Sequence, residues 1–246
     1  MRPACIQSCN ENAGLLADQR SGVSLVEILV VIAIIGVLLA IALPAVFSSR
    51  QAAWNAQCKN NLKQLGVALQ NHVSQRGVLP EDGFNGWGFG VFILPQLDQQ
   101  SVFDNLRPYE ITRGSGFPVT LGGVGSSVDL LLCPVGPKGV TLGNYGRLAY
   151  LGNSELFDGG VSYSDVLDGE SMTVAAGEAL GEHAWAKPGT ASLSGTPNNG
   201  KFSSNHAGGA NFVLCDGAVR FINESVDQAT FQALGTPNGS DLVGDY

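Results

Sequence analysis

The junction Arg20-Ser21-Gly22-Val23-Ser24-Leu25-Val26-Glu27 runs straight into residues 28–47, a stretch of 20 residues without a single charge. At the α-helical rise such a stretch is about 30 Å long, the thickness of a bilayer's hydrocarbon core. It therefore reads as a membrane-spanning helix. The competing reading is a secretory signal peptide, with Ala40-Ile41-Ala42 as a small-residue cleavage site. Apolar regions of such signals usually run to only about 7–15 residues, so length favours the span.

Outward from this stretch the charge divides the chain. Of 246 residues only 14% are charged, 44% are apolar, and the formal net charge is −8. Residues 1–22 are neutral, with Arg2 and Arg20 set against Glu11 and Asp18, and residues 23–47 hold only Glu27. Residues 48–76 carry Arg50, Lys59, Lys63 and Arg76 and no acid, whereas residues 77–246 sum to −11. A neutral leader, an apolar helix, a basic stalk and an acidic head follow one another. A sequence pI of 4.7 argues against a general nucleic-acid binder, because duplex DNA would repel the head. Charge flanking the span does not orient it, since the basic residues follow it and the leader is neutral.

The junction resembles the leader junction of type IV pilins and type II secretion pseudopilins, in which a prepilin peptidase cuts after a glycine and methylates the new N-terminus. The resemblance makes Val23 the first mature residue, Glu27 the fifth and Pro44 the twenty-second. These are the places of a family glutamate and, in many pilins, of a helix-kinking proline; the commonest first mature residue there is phenylalanine. Glu27 also poses a physical question. A carboxylate four residues into a lipid-buried helix costs several kcal/mol unless it finds a partner. It can snorkel to the interface or stay neutral, or it can pair with the α-amino group of a neighbouring subunit's Val23 during filament assembly.

Beyond Pro44 the apolar residues Trp54, Cys58, Leu62, Leu65, Leu69 and Val73 recur at intervals of four, four, three, four and four. This spacing predicts one face of a continuing amphipathic helix, stopped by Gly77 and Pro80. A helix over residues 24–76 would be about 80 Å long.

The rest of the chain resembles a bacterial pseudopilin-like family with a C-terminal signature of His, nine residues, then Asp-Gly. Here the signature reads His206 to Asp216-Gly217. Gly86-Trp87, Leu94-Pro95-Gln96-Leu97, Cys133-Pro134, Asp168-Gly169-Glu170-Ser171 and Gly177-Glu178 agree with it.

Read physically, the head is mostly β. Residues 211–215 and 218–222 flank Asp216-Gly217, which predicts a two-residue type I′ hairpin loop. Phe212 and Leu214 would share one face, as would Val219 and Phe221 on the partner strand. Met172, Val174 and Ala176 alternate similarly. Residues 224–234 read as a short helix begun near Asn223 or Ser225, residues 114–126 and 189–200 as loops, and residues 236–246 as an irregular tail. A strand between His206 and Asp216 would hold them about 17 Å apart, too far for a catalytic His-Asp pair. His206 is therefore expected to fix the glycine-rich loop, and Asp216-Gly217 to set the hairpin register.

Other chemistry-bearing patterns are weak. The run Gly195 to Lys201 has the glycine and lysine spacing of a phosphate loop, but Phe202 stands where Ser or Thr is needed. No Gly-x-Ser-x-Gly or His-Glu-x-x-His occurs, so a hydrolase would have to draw on scattered residues such as Ser204, His206 and Asp216. Asp165, Asp168 and Glu170 offer oxygen ligands for calcium, without EF-hand spacing. Glu178, Glu182 and His183 lack a further ligand at metal spacing and read as solvated. Cys5 and Cys9 fall in the leader, which leaves Cys58, Cys133 and Cys215 in a compartment that permits disulfides. Cys58 with Cys133 is the candidate bridge, against separate buried thiols.

The expected architecture is α+β and pilin-like: leader 1–22, transmembrane assembly helix 23–47, amphipathic stalk 48–77 and head 78–246. The expected function is that of a non-enzymatic pseudopilin in a membrane-rooted type II secretion or type IV pilus-like filament. Its partners would be prepilin peptidase, like or related subunits and the bacterial inner membrane, with no nucleic acid and no cofactor. A membrane-tethered binding or hydrolytic protein that uses the helix only as an anchor is the alternative.

Overall fold

A computed structural model of the chain describes residues 24–110, 123–136, 139 and 141–239. Gly22, Val23, Cys5, Cys9 and most of the 114–126 loop lie outside the described residues. Two compact units are formed, Met1–Ser48 and Ser49–Tyr246.

Helix α1 spans Leu25–Arg76 and continues through Pro44. Ser24 precedes it and donates its backbone N–H to Glu27 Oε2 at 2.9 Å, so the acid satisfies one of the donors at the helix start. In the first unit every residue of α1 is exposed, including Ile28, Val31, Ile35 and Leu39. The helix is long and apolar enough there to cross a membrane. At the other end Gly77 takes a φ of 82° and donates to Val73 O, closing the last turn.

In the second unit the helical period works as expected from Cys58 onward. Cys58, Leu62, Leu65 and Leu69 are fully buried, joined by Asn61, Gly66, Ala68 and His72. Val73 is half-buried, whereas Trp54 remains 38% exposed, because the buried face begins one turn after it.

After α1 the chain makes short helices α2 (Phe89–Phe92) and α3 (Gln100–Leu106) and then six strands and two further short helices. These are β1 (Thr141–Leu142), β2 (Tyr145–Asn153), α4 (Ser154–Phe157), β3 (Val174–Ala184), β4 (Thr190–Ala191), β5 (Gly209–Leu214), β6 (Val219–Asn223) and α5 (Gln228–Ala233). The sheet runs β1-β2-β3-β5-β6 with antiparallel neighbours, and β4 adds a short parallel pairing to the end of β2. Residues 190–191 are thus a strand where a loop was expected. Helix α5 is shorter than expected, and its cap is Asp227, whose side chain accepts from Thr230 N.

Both faces of the sheet are covered. Val213, Tyr150 and Ala176 pack with Leu62, Leu65 and Leu69 of α1, while Phe212, Leu214, Ile222 and Val174 pack with Phe202, Phe231 and Leu234. Strand β5 is accordingly buried at all six positions.

The hairpin between β5 and β6 corrects the expected turn. Leu214 N bonds Ala218 O, and Gly217 N bonds Leu214 O, which makes a three-residue loop of a type I turn followed by a bulge residue. Only Gly217 takes positive φ (76°); Asp216 does not, and its Oδ1 instead accepts from Ala218 N at 2.7 Å. The tip is then fastened to α1. Lys63 Nζ donates to Gly217 O, Gln70 Nε2 donates to Cys215 O, and Gly66 leaves the room the tip occupies.

Candidate functional site

Two places carry chemistry. At the start of α1, Glu27 is the lone charge in residues 23–47. Its cap to Ser24 uses Oε2, and a carboxylate has a second oxygen with which to accept from another donor. Pro44 lies inside the helix six residues before Arg50, the first basic residue of the stalk.

The second place lies within the head, where residues from four segments converge. Cys58 of α1 and Cys133 of the 129–136 segment are joined as a disulfide. Beside it, Glu178 of β3 and His206 of the loop before β5 are 2% and 6% exposed, and Glu178 Oε1 lies 3.1 Å from His206 Nε2. Cys133 Sγ is 3.6 Å from Glu178 Oε1 and 3.8 Å from His206 Nε2. The other carboxylate oxygen, Oε2, accepts from both Asn211 N (2.7 Å) and Asn211 Nδ2 (3.0 Å).

Burial dominates the electrostatics. It pushes the Glu178 carboxyl up to about 7, against the lowering effect of the Asn211 hydrogen bonds and the nearby Lys59 charge. Burial likewise holds the His206 imidazole below its ordinary value, and Lys59 adds to this. Burial thus drives both groups toward their neutral forms.

His206 is bonded within the glycine-rich loop through its backbone and to Glu178 through its ring. His206 N donates to Ser204 Oγ, and Ser204 Oγ donates to Gly209 O at 2.7 Å. Asn205 Nδ2 donates to Val135 O, which ties the loop to the segment that carries Cys133. Asp216 is exposed and occupied with its own turn, and no hydrogen bond joins it to His206. The hydrogen-bonding neighbour of the His206 ring is Glu178, which sequence reasoning treated as solvated.

The remaining candidates separate. Glu182 is exposed and His183 half-buried, and neither belongs to the one group of ligand-type side chains that converges among the described residues. Asp165 Oδ2 accepts from Ser162 N and Asp168 Oδ2 from Gly239 N, which assigns these acids to backbone capping. The Gly195–Lys201 run closes on itself, with Asn199 N bonded to Thr196 O and Asn198 N to Phe202 O, and no helix follows it. Phe202 is core. Cys215 is a buried free thiol, pushed up to about 12 by desolvation and the nearby Glu170 and Asp216 charges, and is held protonated.

A long N-terminal helix, apolar at its start, with an antiparallel β head, is the build of a type IV pilin or pseudopilin-like protein. Comparison with known proteins agrees. Residues 18–43 match the prokaryotic N-terminal methylation motif, a stretch that includes Gly22, Val23 and Glu27. Residues 48–156 and 181–229, more than half of the chain, match the family described as "Protein of unknown function (DUF1559)", and the chain belongs to that family. No curated protein and no solved structure matches it. The methylation motif marks a pilin-like subunit of the kind that prepilin peptidase processes, anchored by its N-terminal helix.

Proposed function

We propose that the chain is a structural, non-enzymatic subunit of a membrane-rooted filament of the type II secretion or type IV pilus-like kind. Prepilin peptidase would cut between Gly22 and Val23. The mature protein would wait in the bacterial inner membrane as a single-pass protein, with residues 49–246 outside the cytoplasm. One observation carries this reading: the methylation motif leads directly into a helical stretch, residues 25–47, whose apolar residues are exposed all round and whose lone charge is Glu27. Exposure on every side suits lipid before assembly and neighbouring apolar helices after it. Glu27 would then pair with the α-amine of Val23 in the adjacent subunit, a contact that exists only once two subunits are in register.

The test is Glu27→Ala, expressed beside the wild-type chain. The apolar span is intact in this variant, so its amount in the membrane fraction should be unchanged, while its amount in sheared or cross-linked filaments should fall at least tenfold. Equal incorporation of the variant would refute the pairing. Absence of the wild-type chain from every filament fraction would favour the helix as a mere anchor.

A further inference from the structure

We propose that Cys58, Cys133, His206 and Glu178 form a redox-gated Zn²⁺ site, closed by the Cys58–Cys133 disulfide and opened when that disulfide is reduced. The inference rests on the second unit, which contains Cys58, and does not depend on filament assembly. All four candidate ligand atoms lie within 4.8 Å of one another. A tetrahedral zinc with Zn–S near 2.3 Å and Zn–N or Zn–O near 2.0–2.1 Å sets neighbouring ligands roughly 3.3–3.8 Å apart. The separations of His206 Nε2 from Glu178 Oε1 (3.1 Å), Cys133 Sγ from Glu178 Oε1 (3.6 Å) and Cys133 Sγ from His206 Nε2 (3.8 Å) already fall within a few tenths of an ångström of that range. The two sulfurs, bonded to each other in the disulfide, have to part to take up two of the four positions.

The donor set selects the metal class. Two thiolates, an imidazole and a carboxylate form a mixed soft and borderline set, which suits Zn²⁺ and is wrong for Ca²⁺ or Mg²⁺. The surroundings support it in the manner of a built site. Asn211 grips Glu178 Oε2 with two N–H groups and so aims Oε1 at the cluster, and the Ser204 hydroxyl holds the His206 backbone. Two thiolates and a carboxylate around Zn²⁺ leave one negative charge, and Lys59, next in sequence to Cys58, supplies the nearby positive one.

The gate is chemically balanced. A dithiol reductant, or a dithiol oxidoreductase, gives two electrons and two protons to the disulfide, becoming a disulfide itself and leaving Cys58 and Cys133 as thiols. Zn²⁺ then binds the two sulfurs as thiolates and displaces both protons to solvent. In either state α1 stays tied to the segment that carries Cys133, first through a covalent bond and then through the metal. The buried Cys215 thiol takes no part, being held protonated away from the cluster.

The test uses the full mature chain in detergent, oxidised or reduced and freed of reductant, titrated with Zn²⁺ alone against a chromogenic chelator, with Co²⁺ as a spectroscopic stand-in. The reduced chain should bind one equivalent, with thiolate-to-Co²⁺ charge-transfer and tetrahedral d–d bands, and the oxidised chain none. His206→Ala and Glu178→Gln should weaken binding at least tenfold. His206→Cys, which replaces one ligand with another, should retain it, and Cys215→Ala should leave it unchanged. If the reduced metal-free head unfolds, Zn²⁺ should refold it. Stoichiometric binding by the oxidised chain, full binding by His206→Ala, loss of binding in His206→Cys with the fold intact, or a reduced chain that neither binds nor refolds with Zn²⁺ would each overturn the proposal.

Discussion

His72 sits on the buried face of α1, 4% exposed, with its Nδ1 3.1 Å from Val78 O. A carbonyl only accepts, so Nδ1 carries the proton, and Nε2 is buried with no hydrogen-bond partner among the described residues. Burial, with the Arg76 charge in a lesser part, lowers the pKa of this imidazole from the ordinary 6.5. The unfolded chain therefore binds a proton that the folded chain refuses. The stability due to neutral His72 is fully present above the ordinary histidine value and is lost as pH falls from there toward the lowered folded value. Denaturant unfolding at about pH 7.5 and about pH 5 should show a larger acid loss for wild type than for His72→Gln. Equal losses in the two proteins would contradict this account of His72. The same scale explains why Glu178 escaped the sequence reading. Its strand, Val174-Ala175-Ala176-Gly177-Glu178-Ala179, is buried on both faces, so alternation does not mark an inside. Its partners His206 and Asn211 lie 28 and 33 residues away. The available signal was a lone acid in a run of small and apolar residues.

At the level of elements, the stripe from Cys58 to Leu69 was legible because a buried helix face repeats with the helical period. Trp54 was misread by the same logic, since period shows which side of a helix faces inward but not where its cover begins. The Asp-Gly hairpin was legible as a hairpin, and its true loop was not, because Asp216 can cap Ala218 N without entering positive φ. What the hairpin packs against was invisible in the sequence. Gly66 faces the tip so closely that an added Cβ would stand 2.6 Å from Val213 Cγ2 and 3.2 Å from Gly217 Cα. Gly66→Ala should cost about 1–3 kcal/mol by forcing the hairpin off α1, despite alanine's better helix propensity. A stabilised or unchanged variant would show that the contact is slack. The Cys58–Cys133 bond joins α1 to the head a turn before Leu62. Reduction in the presence of a chelator should cost about 2–4 kcal/mol, and peptide mapping of protein isolated without reductant should recover the two cysteines linked. Recovery of both as free thiols would end that assignment.

Over the whole chain, the two compact units meet different demands. In the second unit most of the large apolar residues among the described ones are buried against one another, and an internal disulfide, a buried polar cluster and two core layers hold them. Residues 25–48 bury none, and their helix is long and apolar enough to cross a membrane. Fold class and the methylation motif could be read early because both rest on local pattern: a glycine junction, an uncharged run and one acid. The buried cluster rests on contacts between residues distant in sequence, which no local pattern marks. The processing step is where the functional account is most exposed, and intact-mass and N-terminal peptide analysis of the chain recovered from its native membrane tests it directly. The account predicts a chain that begins at Val23 with a methylated α-amine. An intact leader, or a chain beginning near Leu43 as signal-peptide cleavage would leave it, would contradict it.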